Sequence, residues 1–304
     1  MIRRHPRLWP RLNSPPSCPD CGASQVRSLG PLPEGLSFAG RRLQRPMPGG
    51  ELLHCRRCDL RWRWPQRSDY AALYDNDCLD AWALGPLRVD QRLVLGAVEG
   101  RPGGRLLDFG CYRGEFLARL PEGIERFGVE VSRAAAQQAA RHAGAQVVGA
   151  LDQFDPTLRF DTIVAMDVIE HVPSPRALMA QWLARLAPGG RLIVTTGDGG
   201  AALWRWAGSR WWYCQFPEHI AFISGPWLQH HLASLGAQLR GLRRFNYLDA
   251  SGGAGRRWRA WLSYMARPGH HARKRVRRLA EEGRDIGIPG AGLSADHLLV
   301  QIER

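Results

Sequence analysis

The sequence has almost no lysine, no long apolar run and no cysteine pattern that suggests a disulfide framework. Of its 42 basic residues only Lys274 is lysine, a bias that a GC-rich genome imposes on residue type. No stretch of 18 apolar residues occurs, so no membrane-spanning helix is expected. Residues 1–20 are basic and Pro-rich with no apolar stretch after the charges, so no secretory signal is expected either. Seven cysteines in such a chain would stay reduced. The expected location is therefore cytoplasmic, with peripheral contact at the inner face of the membrane as an option.

What the chain does contain is an ordinary globular complement, 44% apolar, with charge unevenly spread. Residues 1–70 carry 13 Arg against 5 acids, residues 71–250 carry 18 Arg against 18 acids, and residues 251–304 carry 11 basic residues against 5 acids. A neutral middle between two basic flanks points to an anionic partner such as a phosphorylated substrate, a membrane surface or RNA.

Four of the cysteines form two Cys-x2-Cys knuckles, Cys18/Cys21 and Cys55/Cys58, while Cys78, Cys111 and Cys214 are scattered. Two such turns supply the tetrahedral S4 shell that structural Zn2+ prefers. The residues between the knuckles are rich in Pro, Gly and Arg, so the metal is expected to hold a zinc-ribbon-like module, 1–68, together. A redox role for the four thiols is the alternative.

From residue 105 short apolar runs alternate with helical periods, the pattern of an α/β sheet. Strands are expected at 105–109, 126–131, 146–149, 161–166 and 191–196. Helices are expected at 132–142, capped by Ser132, and at 174–186, capped by Ser174 and stopped by Pro188-Gly189-Gly190. Parallel strands joined by helices bind ligands at their carboxyl ends. The first strand runs into Asp108-Phe109-Gly110 and then Gly114, which is not the G-x-G-x-x-G of a dinucleotide site. A carboxylate at that place would repel a pyrophosphate and suits a ligand carrying positive charge. Glu130 closes the second strand, where an acid can accept from both ribose hydroxyls. A cationic nucleoside is the favoured ligand.

These segments, LLDFGCYRG, FGVEVS, FDTIVAMDVIEHVPSP and LAPGGRLIVTT, resemble in sequence order the motifs of class I S-adenosylmethionine-dependent methyltransferases. The similarity is closest to the branch of the ubiquinone-type O-methyltransferases, in which an aromatic stretch leads into Pro-Glu-His, as residues 204–224 do here. Sugar C-methyltransferases are similar in carrying an N-terminal four-Cys module. The resemblance implies a Rossmann-like, doubly wound sheet of seven strands over 69–250 and 293–304, with a basic helical insertion, 251–292, before the last strand. It implies that Asp108, Phe109, Gly110 and Gly114 surround the methionine part of the cofactor and that Glu130 holds the ribose. Asp152 would border the adenine, and Asp167 would sit between cofactor and acceptor.

Methyl transfer to oxygen or nitrogen needs in-line approach and a base for the acceptor's proton. His219, in Pro217-Glu218-His219, is the first candidate and His171, after Glu170, the second. A His beside a Glu in a loop is also a common structural pair. The surrounding aromatics, among them Trp204, Trp206, Trp211, Trp212, Tyr213 and Phe216, suit either an acceptor wall or a lid packed on the core. In the insertion, Trp258, Trp261, Leu262 and Met265 fall at helical spacing among Arg256, Arg257 and Arg259, as in an interfacial basic helix, an RNA-contacting arm or a plain helical cap.

The leading expectation is a methyltransferase for a metabolite acceptor: a glycan, polyketide, quinone or lipid-linked intermediate. An RNA methyltransferase gripping phosphates through the zinc module and basic flanks is the second reading, although DVIEHV is not the Asn/Asp-Pro-Pro-aromatic signature of base amino-group methylation. A non-catalytic cofactor-binding or assembly protein is the third.

Overall fold

A computed structural model describes residues 16–38, 41–66, 87–100, 103–246, 254–267, 271, 274 and 295–304. Cys78 and most of the second basic stretch of the insertion lie outside the described residues.

The N-terminal module is built from β1 (Val26–Leu32), β2 (Gly35–Phe38), β3 (Arg41–Met47), β4 (Gly50–Cys55) and β5 (Arg61–Trp64). β1, β4 and β5 form an antiparallel sheet, and β2 and β3 pair as a separate ribbon. The two Cys-x2-Cys turns occupy one end of that sheet. Besides its thiols, this region buries Leu32, Phe38, Met47, Leu52, Leu53, Leu60 and Trp62. Several of these, with Cys18, Cys55 and Cys58, belong to the same apolar cluster as the main sheet. Full burial of such side chains contributes about 1.5–3 kcal/mol each, so the module stands on shared packing as well as on its thiols.

The rest of the chain follows with α1 (Val89–Glu99), β6 (Gly104–Phe109), β7 (Ile124–Val129), α2 (Arg133–Ala143), β8 (Gln146–Val148), β9 (Phe160–Met166), α3 (Pro175–Ala184), β10 (Leu186–Gly197), α4 (Ala202–Ala207), β11 (Ala221–Phe222), α5 (Gly225–Leu232), β12 (Gln238–Phe245), α6 (Ala254–Ala266) and β13 (His297–Glu303). Seven strands make one sheet in the order β12-β13-β10-β9-β6-β7-β8, parallel except for β13. The fold class is the one the sequence led us to expect, a doubly wound seven-stranded sheet with a helix ahead of its last strand.

Local chemistry explains the boundaries. Ser132 and Ser174 accept from the backbone N–H groups of Ala135 and Ala177, capping α2 and α3 as expected. The second of these helices ends at Ala184, short of Leu186, and Pro188-Gly189-Gly190 forms a bulge inside β10, where the pairing with β9 jumps from Leu186 to Arg191. After β6 the chain makes a 3-10 turn, Leu117–Arg119.

Leu178, Met179, Trp182 and Leu183 of α3, with Trp227 and Leu228 of α5, cover one face of the sheet. Val94 and Val98 of α1, with Ala139 and Ala143 of α2, cover the other. An aromatic cluster containing Trp204, Trp211, Trp212, Tyr213, Phe222 and Trp261 caps the carboxyl ends of β9 and β10. β6 sits between β7 and β9, so the connections diverge at β6 and open a crevice between the carboxyl ends of β6 and β9, where open α/β sheets take their ligands.

Candidate functional site

The four knuckle cysteines converge. Cys18 Sγ lies 3.6 Å from Cys58 Sγ, and Cys21 Sγ 3.6 Å from Cys55 Sγ. All four sulfurs fall within 4.8 Å of one another. A tetrahedral shell with Zn–S of about 2.3 Å has edges of about 3.8 Å, so the spacing and the donor set both fit zinc. The two turns match in backbone: the Gly22 N–H donates to Cys18 O (2.9 Å) and the Asp59 N–H to Cys55 O (3.0 Å). Both turns end in a left-handed residue, Gly22 at φ +69° and Asp59 at φ +65°. Asp59 is held in that conformation by its carboxylate, which accepts from His54 Nε2 (2.7 Å), Ser224 Oγ (2.6 Å) and Arg61. Burial alone would raise its pKa; these donors hold it down at about 2.

The module is fastened to the helices and loops around the crevice. Buried Asp20, inside the first knuckle, accepts from Ser174 Oγ (2.8 Å) at the start of α3 and from Trp227 Nε1 (2.8 Å) of α5. β5 takes β11 as its outer neighbour, pairing Trp62 with Ala221 and Arg61 with Phe222. Buried Arg63 donates from Nη2 to Cys214 O (3.0 Å) and Phe216 O (3.1 Å), and its backbone N–H donates to Ile220 O (2.9 Å). The segment carrying Glu218 and His219 is therefore pinned on both sides by one strand of the module.

At the crevice, β6 delivers Asp108, which is 1% exposed and whose Oδ1 has no hydrogen-bond partner among the described residues. Burial pushes its pKa up to about 8, with nearby Arg88 acting in the opposite sense. Phe109 packs edge-on against Trp182. Gly110 and Gly114 both sit at φ +82°; a Cβ on Gly114 would meet the Ala139 Cα of α2 at 3.0 Å, and one on Gly110 the Val168 side chain at 2.7 Å. The glycines are thus required by backbone sign and by close approach. At the end of β7, buried Glu130 accepts from the backbone N–H of Tyr112 (2.9 Å) and of Ser132 (2.8 Å), which fixes its carboxylate at the loop while each oxygen keeps a second lone pair. Asp152 lies exposed on a 3-10 turn after β8.

Asp167 follows β9 in a left-handed conformation, φ +54°, and its Oδ1 is likewise unpartnered among the described residues. Burial raises its pKa to about 7. Arg88, at the start of α1, grips Asp90 with two hydrogen bonds (3.1 and 2.7 Å) and reaches to 3.7 Å from Asp167 Oδ2. Thr195 Oγ1 on β10 is a third buried oxygen without a partner. Asp108, Asp167 and Thr195 lie at or near the carboxyl ends of three neighbouring strands, β6, β9 and β10.

Beside them sits a polar cluster in which Glu170 and Tyr213 are buried and His171 and His219 half-buried. His171 Nδ1 donates to Glu218 O (3.0 Å), and His219 Nδ1 donates to Tyr213 O (2.8 Å). Both imidazoles thereby present Nε2 as the acceptor nitrogen. Their rings meet edge to face at 5.0 Å. Burial lowers the pKa of His171 to about 4 and that of His219 well below its usual value. The Glu170 carboxylate accepts from Tyr213 OH and Thr196 Oγ1. One ligand atom each from Glu170, His171 and His219 lies within 4.8 Å of the others, close enough to share one ion or proton. The side chain of Glu218 is buried, and its backbone carbonyl is what touches His171.

The fold brings Asp108, Gly110, Gly114, Glu130 and Asp167 to one crevice, with His171 and His219 beside Asp167 at the capped end. It leaves Asp152 at the surface beyond β8. Arg88, Asp90, Thr195 and the Asp296–His297 pair went unmarked in the sequence. His297 Nδ1 donates to Asp296 Oδ1 (2.9 Å), Asp296 Oδ2 accepts from Trp212 Nε1 (2.9 Å), and the His297 ring lies 4.9 Å from that of Tyr213. Two adjacent titratable residues opening a strand were the one local signal for that pair.

The sequence profile of a family described as a methyltransferase domain matches residues 87–242, just over half of the chain. The ubiquinone biosynthesis O-methyltransferase of Alkalilimnicola ehrlichii is 33% identical over 150 residues, covering 45% of this chain and 54% of that protein. A protein of the same name from Bradyrhizobium sp. is 36% identical over 103 residues, covering 31% of this chain and 40% of the relative. The chain thus spans about half the length, or less, of the curated relatives it matches. Among solved structures, the magnesium protoporphyrin IX methyltransferase of Synechocystis PCC 6803, which has S-adenosylmethionine bound, superposes with a TM-score of 0.48 at 13% identity, covering 79% of this chain and 99% of that one.

Proposed function

Since the chain belongs to the methyltransferase domain family, we propose that it transfers methyl groups from S-adenosylmethionine to a hydroxyl oxygen of a small acceptor of the quinone-precursor or lipid-linked class. The observation that carries this reading is the row of unpartnered buried oxygens, Asp108 Oδ1, Asp167 Oδ1 and Thr195 Oγ1, at the carboxyl ends of β6, β9 and β10. Each such group costs about 1–3 kcal/mol when left unsatisfied, so the row suits a ligand that arrives with donors and positive charge.

When bound, S-adenosylmethionine supplies a methyl group on a cationic sulfur. The chain's residues do the rest. Asp108, with Phe109 and the turn from Gly110 to Gly114, holds the methionine portion. Glu130 accepts from the ribose hydroxyls with its remaining lone pairs, and Asp152 borders the adenine. Asp167 faces the reacting centre, where Arg88 steadies its charge. Trp212, Tyr213 and Phe216 exclude water and wall the acceptor. As the O–CH3 bond forms and the S–CH3 bond breaks, the acceptor's hydroxyl proton passes to an imidazole Nε2. We assign that role to His219, with His171 beside it and the Glu218 carbonyl fixing the tautomer of His171. Burial keeps both rings neutral at pH 7, so the Nε2 of His219 carries a lone pair without prior deprotonation. The four-Cys site holds one structural Zn2+, a use of unbridged thiols that suits a reducing cytosol.

The test is transfer of radiolabelled methyl from S-adenosylmethionine into extract of a deletion strain, fractionated into lipid-extractable, small polar, polysaccharide and RNA pools. Label in the lipid-extractable or small polar pool is the expected result. Label confined to RNA would overturn the acceptor class, and no label in any pool would overturn the enzymatic reading.

A further inference from the structure

Trp258, Trp261, Leu262 and Met265 fall at helical spacing, but the structure divides them between two faces of α6. Trp261 and Met265 pack into the aromatic cap over the sheet. Trp258 and Leu262 point outward, 44% and 46% exposed, and Trp206 on α4 is 61% exposed. Together they are three of the four large apolar side chains exposed among the described residues, and the fourth, Val131, is on a different part of the fold. Buried Trp261 bridges the two exposed tryptophans: Trp258 stacks on it at 4.9 Å and 10°, and Trp206 meets the same ring at 4.9 Å.

The charged residues carried by α4, the turn after it and α6 are all arginine. Arg205, Arg210 and Arg259 are exposed beside the tryptophans. No Asp or Glu occurs at 199–217 or at 250–280, which bracket α4 and α6. Protruding indoles beside exposed arginines are the combination that partitions into a lipid headgroup layer, with indole at the interfacial depth and guanidinium on phosphate. Trp204, on the inner side of α4, packs against Tyr213, whose ring lies 4.1 Å from that of His219, so the surface adjoins the candidate catalytic segment.

We infer that the face formed by α4 and α6 docks the protein on an anionic lipid bilayer, with Trp206, Trp258 and Leu262 entering the headgroup region and Arg205, Arg210 and Arg259 pairing with lipid phosphates. The inference goes beyond the methyl-transfer reading. Its test contains no turnover, so either can fail while the other stands.

The experiment is co-sedimentation of the full chain with vesicles of phosphatidylcholine alone and of three parts phosphatidylcholine to one part phosphatidylglycerol. Tryptophan emission is followed in parallel. Binding is expected only to the anionic vesicles, with a blue shift of emission, and it should collapse at 1 M salt, where the screening length is about 3 Å. Arg205→Gln with Arg259→Gln should weaken binding about 25-fold, at about fivefold per arginine. Trp206→Ser with Trp258→Ser should remove the blue shift. Thermal melting of each variant checks that folding is intact. Equal sedimentation with both vesicle types, no binding to either, or undiminished binding by the arginine pair would overturn the inference. So would tighter binding of the same face to a random-sequence RNA, or self-association in light scattering that Trp206→Ser with Trp258→Ser abolishes.

Discussion

Asp108→Asn separates what the crevice costs in stability from what it gains in binding. Burial raises the Asp108 carboxyl from 3.8 to about 8, and each pKa unit corresponds to about 1.36 kcal/mol. Because the folded pKa lies above the unfolded one, the folded state holds the proton more tightly. Stability referable to this group is therefore greatest below pH 4, falls as pH rises, and levels off above pH 8. Integrated from pH 5 to pH 8, the loss is about 3–4 kcal/mol. The asparagine is nearly isosteric and does not titrate, so the ligand-free variant should be more stable than wild type by a margin that widens over that interval. Arg88, Glu130, Asp90 and Glu115, the charged neighbours that act on Asp108, are common to both proteins and largely cancel in the difference. The assay is urea unfolding at pH 5, 6.5 and 8, followed by titration with S-adenosylmethionine, for which the variant should have lost most of its affinity. A stability margin that stays constant from pH 5 to pH 8, or a variant less stable at pH 8, would refute the reasoning.

The remaining predictions address the turn, the clamp and the metal. Gly114→Ala sets a Cβ 3.0 Å from the Ala139 Cα at φ +82°, and should cost about 1–3 kcal/mol in thermal melting; Gly123→Ala, at φ +83° with nothing within 4 Å, should cost less, and equal losses would show that the contact with α2 is unimportant. Arg63→Met removes the donors to Cys214 O and Phe216 O and should lower kcat at least tenfold with little change in affinity for S-adenosylmethionine, as measured by steady-state kinetics and equilibrium titration. Cys58→Ser should release about one zinc ion per chain in metal analysis and lower the melting temperature; retained zinc would contradict the S4 site.

The main sheet was legible because its strands are buried on both faces and so read as continuous apolar runs, as at Leu106–Leu107 and 163–166, while Ser132 and Ser174 mark the helix starts. The knuckles were legible because metal ligation imposes a fixed local spacing. What escaped depends on contacts between distant segments. Nothing near Arg63 announces that it grips carbonyls about 150 residues away, and a two-residue strand such as β11 has no period to detect. Between the knuckles the sequence reads as Pro, Gly and Arg, yet Leu53 joins the cluster of α3 and α5 while Leu32 and Leu52 join the aromatic cluster around Trp204, contacts that no local pattern shows. On α6 the spacing identified a helix but not its division, since Trp258 and Trp261 are one turn apart and only the neighbouring α4 decides which is covered. Arg88 and His297 sit at the starts of elements, where no apolar pattern constrains residue type.

The most direct test of the central claim is calorimetric titration of the full chain with S-adenosylmethionine at pH 7 in two buffers of different ionisation enthalpy. Near that pH the Asp108 carboxyl is largely protonated in the free protein, and a cationic ligand against it should drive the proton off. The account predicts one molecule bound per chain with net release of up to one proton, and loss of both in Asp108→Ala. Absence of binding, or binding that Asp108→Ala leaves intact, would contradict it.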